Sequence, residues 1–220
     1  MYHTTASFST AKSKPVVAQF NGGKLTSDAG ALLLQLADKK LRFSERINSC
    51  IHDPRDQRYI SHLQRDLLAQ RIYALCLGYE DVNDQTKLRK DPAMLVAVKN
   101  TTDEELPLGS ASTITRLENR ITSKELSNLT KLFVELFIES YKEPPKQIII
   151  DVDATDDTIH GTQEGRYFNG FYDDYCFLPL YFFCGDQLLW AQLRSSAKGG
   201  ASGRHLGLCT PCHRESGAFA

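Results

Sequence analysis

The hydrophobic period of this chain changes at Pro144-Pro145. Before the prolines, residues 122–137 combine a Thr-Ser-Lys-Glu capping-box pattern with apolar residues every three or four positions, which predicts a helix. After them, residues 148–150 are three isoleucines, a β-branched run typical of a buried strand, and they close on the acidic residues of 151–153. The sequence therefore predicts an α+β chain with helices first and strands afterwards.

Three further helices are predicted in the first part of the chain. Residues 25–36 have helical spacing, with Thr26 or Ser27 as N-cap. Residues 60–75 predict a second helix that ends at Gly78. Asp91-Pro92 is a cap followed by proline at the first helical position, which predicts the start of a third.

The second part of the chain predicts antiparallel strands. Apolar runs at 175–184 and 188–193 are separated by Gly-Asp-Gln at 185–187, a turn signal typical of a hairpin. Because Pro179 cannot donate a ladder hydrogen bond, we expect its strand to lie at an edge or to carry a bulge.

Length and composition exclude several classes of protein. The 220 residues are 41% hydrophobic and 24% charged, which is typical of a globular chain. No stretch approaches the roughly 20 apolar residues that cross a bilayer, and the first residues are polar. We therefore expect a cytoplasmic protein with no membrane partner.

The charge is unevenly distributed along the chain. Residues 1–147 carry 21 Lys and Arg against 18 Asp and Glu, whereas residues 148–220 carry 5 against 9. The net charge of −1 argues against a basic nucleic-acid coat. An acidic second part is expected to bind cations or a partner.

Cys209, Cys212 and His213 spell C-x-x-C-H, the pattern of covalent haem attachment. That chemistry requires export, for which the sequence carries no signal, so we expect no haem. A single C-x-x-C is also weak evidence for zinc.

Asp151 and Asp153 are the candidate catalytic and metal-binding residues. They are two positions apart, so on a continuing strand both project from the same face, where carboxylate oxygens suit a hard divalent cation. The alternative is that they are solvated strand-end acids. A second alternative comes from the residues Asp-Val-Asp-Ala-Thr at 151–155, which resemble the opening motif of haloacid-dehalogenase-like phosphohydrolases. In that case Asp151 would be a nucleophile and Asp153 a general acid beside Mg²⁺. That fold requires a long parallel α/β chain after the motif, and only 67 residues follow Asp153.

A wider resemblance covers residues 20–194. The segments that carry it are FNGGKLTSDAGALLL, RDLLAQRIYALCLGYEDVNDQTKLRKDPAM, STITRLENR, DVDATDDTIHGTQEGRYFNGFYDDYCFLPLYFFCGDQLL and AQLR. Together they resemble the amino-terminal half of a bacterial insertion-sequence transposase of the DDE type, the insertion-sequence 1380 group.

The resemblance implies a catalytic role for the acidic pair. Three acidic side chains on an RNase H-like sheet bind Mg²⁺ or Mn²⁺ in such enzymes and support DNA cleavage and strand transfer. Asp153 is the expected first acid, with Asp151 as the alternative, and either or both would ligate the metal. The strands of this chain would be the first antiparallel strands of an incomplete RNase H-like domain. The second and third acids have no candidate after Arg194 except Glu215, which lacks a surrounding pattern.

The resemblance also implies a domain organisation. Residues 1–19 are expected to form a flexible arm, 20–146 a helical region for DNA binding and assembly, 147–194 a partial catalytic domain, and 195–220 an irregular, candidate out-of-frame tail.

Transposon-end DNA is the expected partner, together with a second copy of the chain or a full-length transposase. Helical basic residues are candidates for phosphate contact, against the alternative of an ordinary solvated surface: Arg65, Arg71, Lys87, Arg89 and Lys90.

The expected function is thus a truncated, catalytically incomplete transposase. The alternatives are a non-catalytic or inhibitory fragment that binds transposon ends, and the Mg²⁺-dependent phosphohydrolase.

Overall fold

The computed structural model describes residues 25–101 and 106–197, together with the backbone of two earlier strands. These are β1 (Thr5–Ala11) and β2 (Lys14–Gln19), which pair antiparallel with Thr5 opposite Gln19. The sequence predicts no strand in this segment. Its assignment as a separate flexible arm stays a prediction.

The chain forms two compact units, residues 1–121 and 122–220. In the first unit, the residues described after β2 form helices and a 3₁₀ turn at Val82–Asp84. The helices are α1 (Gly30–Leu41), α2 (Phe43–Cys50), α3 (Gln64–Cys76), α4 (Gln85–Leu88), α5 (Pro92–Lys99) and α6 (Ala111–Asn119). Their core contains Ala74, Met94 and Leu95, none of which is exposed to solvent.

Local signals explain two of the predicted helix ends. Asp91 caps α5, because its carboxylate accepts a hydrogen bond from the Met94 backbone N–H at 2.9 Å. Gly78 follows the end of α3 with a φ of 89°, a left-handed conformation that favours glycine. The prediction for Thr26 and Ser27 is wrong, since α1 begins at Gly30, and Thr26 instead accepts a hydrogen bond from the Asp28 N–H.

Buried polar side chains join the helices of the first unit. The Asp38 carboxylate accepts hydrogen bonds from the Ser44 N–H and the Tyr73 hydroxyl, both at 2.8 Å, and so connects α1, α2 and α3. Gln70 exchanges two hydrogen bonds with the backbone of Gly109 at 2.9 Å. A Cβ on Gly109 would lie 2.4 Å from a Leu67 methyl group, so this contact requires glycine.

In the described part of the second unit, residues 122–197, a helix precedes six short strands. The elements are α7 (Ser123–Glu139), β3 (Asp151–Ala154), β4 (Asp157–Thr158), β5 (Tyr167–Asn169), β6 (Asp174–Phe177), β7 (Leu180–Cys184) and β8 (Gln187–Gln192). The predicted capping box is present, because Thr122 and Glu125 exchange side-chain and backbone hydrogen bonds. The strands form two antiparallel sheets, ordered β3-β7-β8 and β4-β6-β5.

The core of the second unit forms where α7 packs on one sheet. Phe137 of α7 lies with Leu180, Phe182 and Leu189 of β7 and β8. The predicted α+β class is confirmed, and α7 packs with the strands that follow it. The functional boundary predicted at residues 146 and 147 stays a prediction.

Two details of the strand prediction are wrong. Residues 148–150 are exposed and outside any strand. The ladder register places Ile150 opposite Cys184, the last residue of β7, so Ile148 and Ile149 extend past the end of the partner strand. Pro179 lies between β6 and β7, which belong to different sheets, and therefore divides the apolar run instead of occupying an edge strand. The predicted β7–β8 hairpin is confirmed.

The helices within the described ranges include none with the length and apolar content needed to cross a bilayer.

Candidate catalytic strand and nucleic-acid interface

Asp151 and Asp153 lie on one face of β3. Their ladder partners in β7 are Phe183 and Tyr181, while the intervening Val152 pairs with Phe182. Because side chains alternate along a strand, Val152 shares the face of the buried Phe182, and the two aspartates lie on the opposite face. Both carboxylates are exposed. The apolar face thus holds the strand in place and leaves the acidic face open.

The two carboxylates have few partners. Asp153 accepts a long hydrogen bond of 3.4 Å from the Thr155 hydroxyl. The Thr155 N–H donates in turn to the Pro179 carbonyl at 3.2 Å, which anchors the end of β3. Neither aspartate forms an ion pair with another described residue.

The donor set of this strand suits a hard metal ion but is incomplete. Carboxylate oxygens are the ligands that Mg²⁺ and Mn²⁺ prefer. Within residues 25–101 and 106–197, however, no three His, Cys, Asp or Glu side chains come together as a metal-binding group. The described residues therefore provide two ligands and do not fit a complete catalytic metal centre. Glu215 and the C-x-x-C-H pattern at 209–213 lie outside the described residues.

Among the five candidate DNA-contacting residues, Arg71 has a clear structural role. Its Nε donates to Glu118 at 2.7 Å, and its terminal nitrogens donate to the carbonyls of Tyr79 and Glu80 at 3.3 and 2.9 Å. Its side chain is only 16% exposed. Arg71 thus joins α3 to α6 and to the segment after α3, and contact with a phosphate would require breaking these bonds.

The other candidates differ in accessibility. Arg65 is exposed and lies 3.3 Å from Asp66. Arg89 is half-buried, its carbonyl accepts a hydrogen bond from the Leu108 N–H, and its Nε is buried with no hydrogen-bond partner in the described part of the chain. Lys87 and Lys90 are exposed.

Lys87 and Lys90 line one cleft of about 480 Å³. Asp28, Asp84 and Asp91 line the same cleft. Three carboxylates beside two ammonium groups make the cleft itself a poor anion site. Lys87 and Lys90 can therefore contact DNA phosphates only from the rim of this cleft.

The segment between α2 and α3 carries an exposed pair that sequence reasoning missed. Arg58 lies over the ring of Tyr59 at 5.5 Å from the ring centroid, and Tyr59 is 82% exposed. The segment is held by Asp53, which binds Arg55 at 2.7 Å and Arg120 at 3.5 Å. The Arg55 guanidinium holds the pKa of Asp53 well below its usual range, chiefly through their hydrogen bonds. Only the alternation of Asp and Arg at 53–58 could have pointed to this arrangement.

Fold and site together define a class of protein: an α+β chain in which helices precede two small antiparallel sheets, one of which carries paired carboxylates on a strand. The chain belongs to the transposase DDE domain group 1 family, whose family model matches residues 8–209. Neither the comparison with curated proteins nor that with solved structures produced a match.

Membership of this family links the chain to DNA transposition and implies action on DNA, in general with divalent metal ions. The matched range is wider than residues 20–194, where the resemblance was recognised. It includes residues 195–209, the first part of the predicted irregular tail.

Proposed function

We propose that this chain is a catalytically incomplete DDE transposase of the insertion-sequence 1380 group, corresponding to the amino-terminal part of the enzyme. The observation that supports it most is the position of Asp151 and Asp153, on the open face of a sheet strand in a member of this family. Asp153 is the proposed first acid of the triad, and Asp151 is its alternative.

The proposed incompleteness rests on the donor set. Two carboxylates of one strand cannot hold the two metal ions that activate the nucleophile and stabilise the leaving group of a phosphodiester. In this proposal the strands are the first part of an RNase H-like sheet. We also propose a cytoplasmic location. An out-of-frame origin stays a proposal for the tail at 195–220, and the family match, which includes residues 195–209, supports it at most for residues 210–220.

A cleavage assay tests this proposal. The purified chain is incubated with Mg²⁺ or Mn²⁺ and a duplex that carries the terminal inverted repeat flanking its own gene. We expect neither strand cleavage nor joining, and Asp153→Asn should behave like the unaltered chain. Reproducible cleavage that Asp153→Asn abolishes would show that the chain is a complete enzyme.

The second candidate is a non-catalytic fragment that binds transposon ends. The exposed Lys87 and Lys90 favour it, because ammonium groups at a rim can neutralise backbone phosphates. The phosphohydrolase alternative loses support, since the described neighbour of β3 is antiparallel, whereas that fold places its motif in a parallel sheet.

A gel-shift titration against the same duplex tests DNA binding. Replacing both Lys87 and Lys90 with alanine should weaken binding and lower the slope of log K against log salt by about 0.9 for each lost phosphate contact. The matched control replaces Lys39 and Lys40, two exposed lysines at the end of α1. An equal loss in both double variants would contradict a specific contact at Lys87 and Lys90.

Co-expression with a full-length relative tests whether this chain interferes with an intact transposase. An inhibitory fragment should reduce transposition by the intact enzyme, whereas an inert fragment should leave it unchanged.

A further inference from the structure

Three side chains of the β4-β6-β5 sheet combine aromatic rings with a positive charge. Phe168 of β5 and Tyr175 of β6 are directly opposite in the ladder, so their side chains lie on the same face of the sheet. Their ring centroids are 5.4 Å apart, with an angle of 70° between the ring planes. The Arg166 guanidinium lies over the Tyr175 ring, 4.7 Å from its centroid. Arg166, Phe168 and Tyr175 are called the aromatic platform below.

The rings of the aromatic platform are accessible to a ligand. Phe168 and Tyr175 are each 44% exposed. By strand alternation, Tyr167 and Cys176 point to the opposite face of the sheet, where Cys176 is fully buried. Two adjacent rings that remain in water forgo much of the stabilisation that burial would give. Such a patch favours a ligand that covers the rings.

The charges on this face indicate how such a ligand would lie. The Arg166 guanidinium, at the start of β5, donates to the Gly161 carbonyl and forms no ion pair with another described residue. Asp157 of β4, on the other side of β6, shares the face, because it pairs with Phe177, two residues after Tyr175. An anionic group is therefore attracted to the Arg166 side of the rings and repelled from the Asp157 side.

A nucleotide of a single DNA strand has both parts that this face accommodates. Its base stacks on aromatic rings and on guanidinium planes, and its phosphate pairs with an arginine. In a duplex, the faces of each base are covered by the neighbouring base pairs and cannot lie on the rings. We propose that the aromatic platform binds unpaired nucleobases of single-stranded DNA, with bases stacked on Phe168 and Tyr175 and a backbone phosphate at Arg166.

This inference rests on the proposed function for its ligand, DNA, and adds that the bases are unpaired. The aromatic platform lies in a different sheet from Asp151 and Asp153. Neither the cleavage reaction nor the duplex contacts proposed for Lys87 and Lys90 are needed for it.

Fluorescence anisotropy with a labelled single strand of oligothymidylate tests the inference. The unaltered chain should bind this strand, and Phe168→Ala and Tyr175→Ala should each weaken binding by about tenfold, because a stacking surface is lost. The matched control is Tyr167→Ala. Tyr167 is a neighbouring ring of β5 with an exposure of 54%, and it lies on the opposite face, so its loss should leave the affinity unchanged.

An abasic strand of the same length separates stacking from charge. It has the phosphates but no bases, so it should bind the unaltered chain about tenfold more weakly than oligothymidylate, and Phe168→Ala should weaken its binding no further. Arg166→Ala should lower the slope of log K against log salt by about 0.7, the value for one phosphate contact of a single strand.

A second variant at Phe168 covers the case in which Phe168→Ala does not fold. Phe168→Leu keeps an apolar side chain but has no flat ring, so it should bind oligothymidylate as weakly as Phe168→Ala. Circular dichroism of each variant establishes that the fold is retained.

Two comparisons keep a failure of this inference apart from a failure of the proposed function. The double variant Lys87→Ala and Lys90→Ala should bind oligothymidylate like the unaltered chain. Phe168→Ala should in turn keep its affinity for the terminal-repeat duplex. Absence of duplex binding alone would contradict the proposed binding of transposon ends, and absence of single-strand binding alone would contradict the aromatic platform.

Several results would overturn the inference. These are no binding of oligothymidylate, equal binding of the abasic strand, an equal loss in Tyr167→Ala, or a loss that follows Lys87 and Lys90 instead of Phe168. Sedimentation without DNA adds one more, since self-association that Phe168→Ala abolishes would assign the rings to a contact with a second copy of the chain.

Discussion

The two compact units differ in how these polar side chains are bonded and exposed. In the first unit, Asp38, Asp53 and Gln70 each bind groups from other helices or loops, and their bonds are partly or fully buried. In the second unit, Asp151 and Asp153 are exposed and lack ion-pair partners among the described residues. Both units contain buried and exposed apolar side chains, and Leu95 of the first unit, which is fully buried, contrasts with Ile149 of the second, which is 66% exposed.

This difference separates scaffold from interaction surface. Buried and satisfied polar groups hold helices in fixed positions, and removing one partner leaves the other unpaired at a cost. Exposed carboxylates cost little in water and remain available to a partner. The contacts with metal ions are therefore expected on the second unit.

The largest difference in the free energy of unfolding is expected between truncation of a buried apolar side chain in the first unit and of an exposed one in the second. Leu95→Ala should lower the free energy of unfolding by about 2–5 kcal/mol, because it leaves a cavity in the first unit. Ile149→Ala should change it by no more than about 0.5 kcal/mol, since its side chain is mostly in water. Urea denaturation at low protein concentration measures both. Equal losses would show that the isoleucine segment is buried in solution.

A matched pair of Asp→Asn substitutions should give the next largest contrast. Asp53→Asn breaks the interaction with Arg55 and Arg120 and should cost about 1–3 kcal/mol. Asp153→Asn removes a carboxylate with one long hydrogen bond and should stay within about 0.5 kcal/mol of the unaltered chain. Urea denaturation at neutral pH measures both values, and an equal cost at both positions would contradict the contrast.

The Asp53→Asn variant also has a pH signature. The pKa of Asp53 is lowered in the native state, so the unfolded chain binds the proton first as the pH falls. The stabilisation by Asp53 is therefore complete above about pH 4 and is lost as the pH falls below that value. Asp53→Asn should flatten this part of the stability curve. Parallel curves for Asp53→Asn and the unaltered chain would exclude this role.

The smallest loss of stability is expected when a helix N-cap is removed, and it should be the same in both units. Asp91 and Thr122 are N-caps of α5 and α7, and each alanine substitution should cost about 1 kcal/mol, because a cap satisfies a backbone N–H locally. Thr130→Ala is the control, since the Thr130 hydroxyl binds Leu126 within the same helix. Thermal unfolding measures the three variants, and a large difference between the two caps would indicate that a tertiary contact contributes.

Features encoded within a few residues were predictable from the sequence. The Asp91 cap, the glycine that follows α3, the Thr122 capping box and the turn at 185–187 are all local, because each depends on neighbours in the chain. The same holds for the shared face of Asp151 and Asp153, which follows from strand alternation.

Features that depend on distant partners were not predictable. The isoleucine run has the composition of a buried strand, but strand formation requires a partner, and β7 ends too early to provide one for Ile148 and Ile149. Arg71 is similar to Lys87 in sequence terms, yet its guanidinium binds the distant Glu118 of α6 and the carbonyls of Tyr79 and Glu80. Residues far apart in sequence decide both outcomes.

The sequence by itself determined the change from helices to strands after Pro144-Pro145, the caps at Asp91 and Thr122 and the position of the acidic pair, since these follow from short-range periodicity and hydrogen bonding. The tertiary structure alone decided which isoleucines are buried and which arginines are already bound. The physical reason is that burial and pairing depend on the surfaces that meet after the chain folds, and those surfaces come from residues far apart in the sequence.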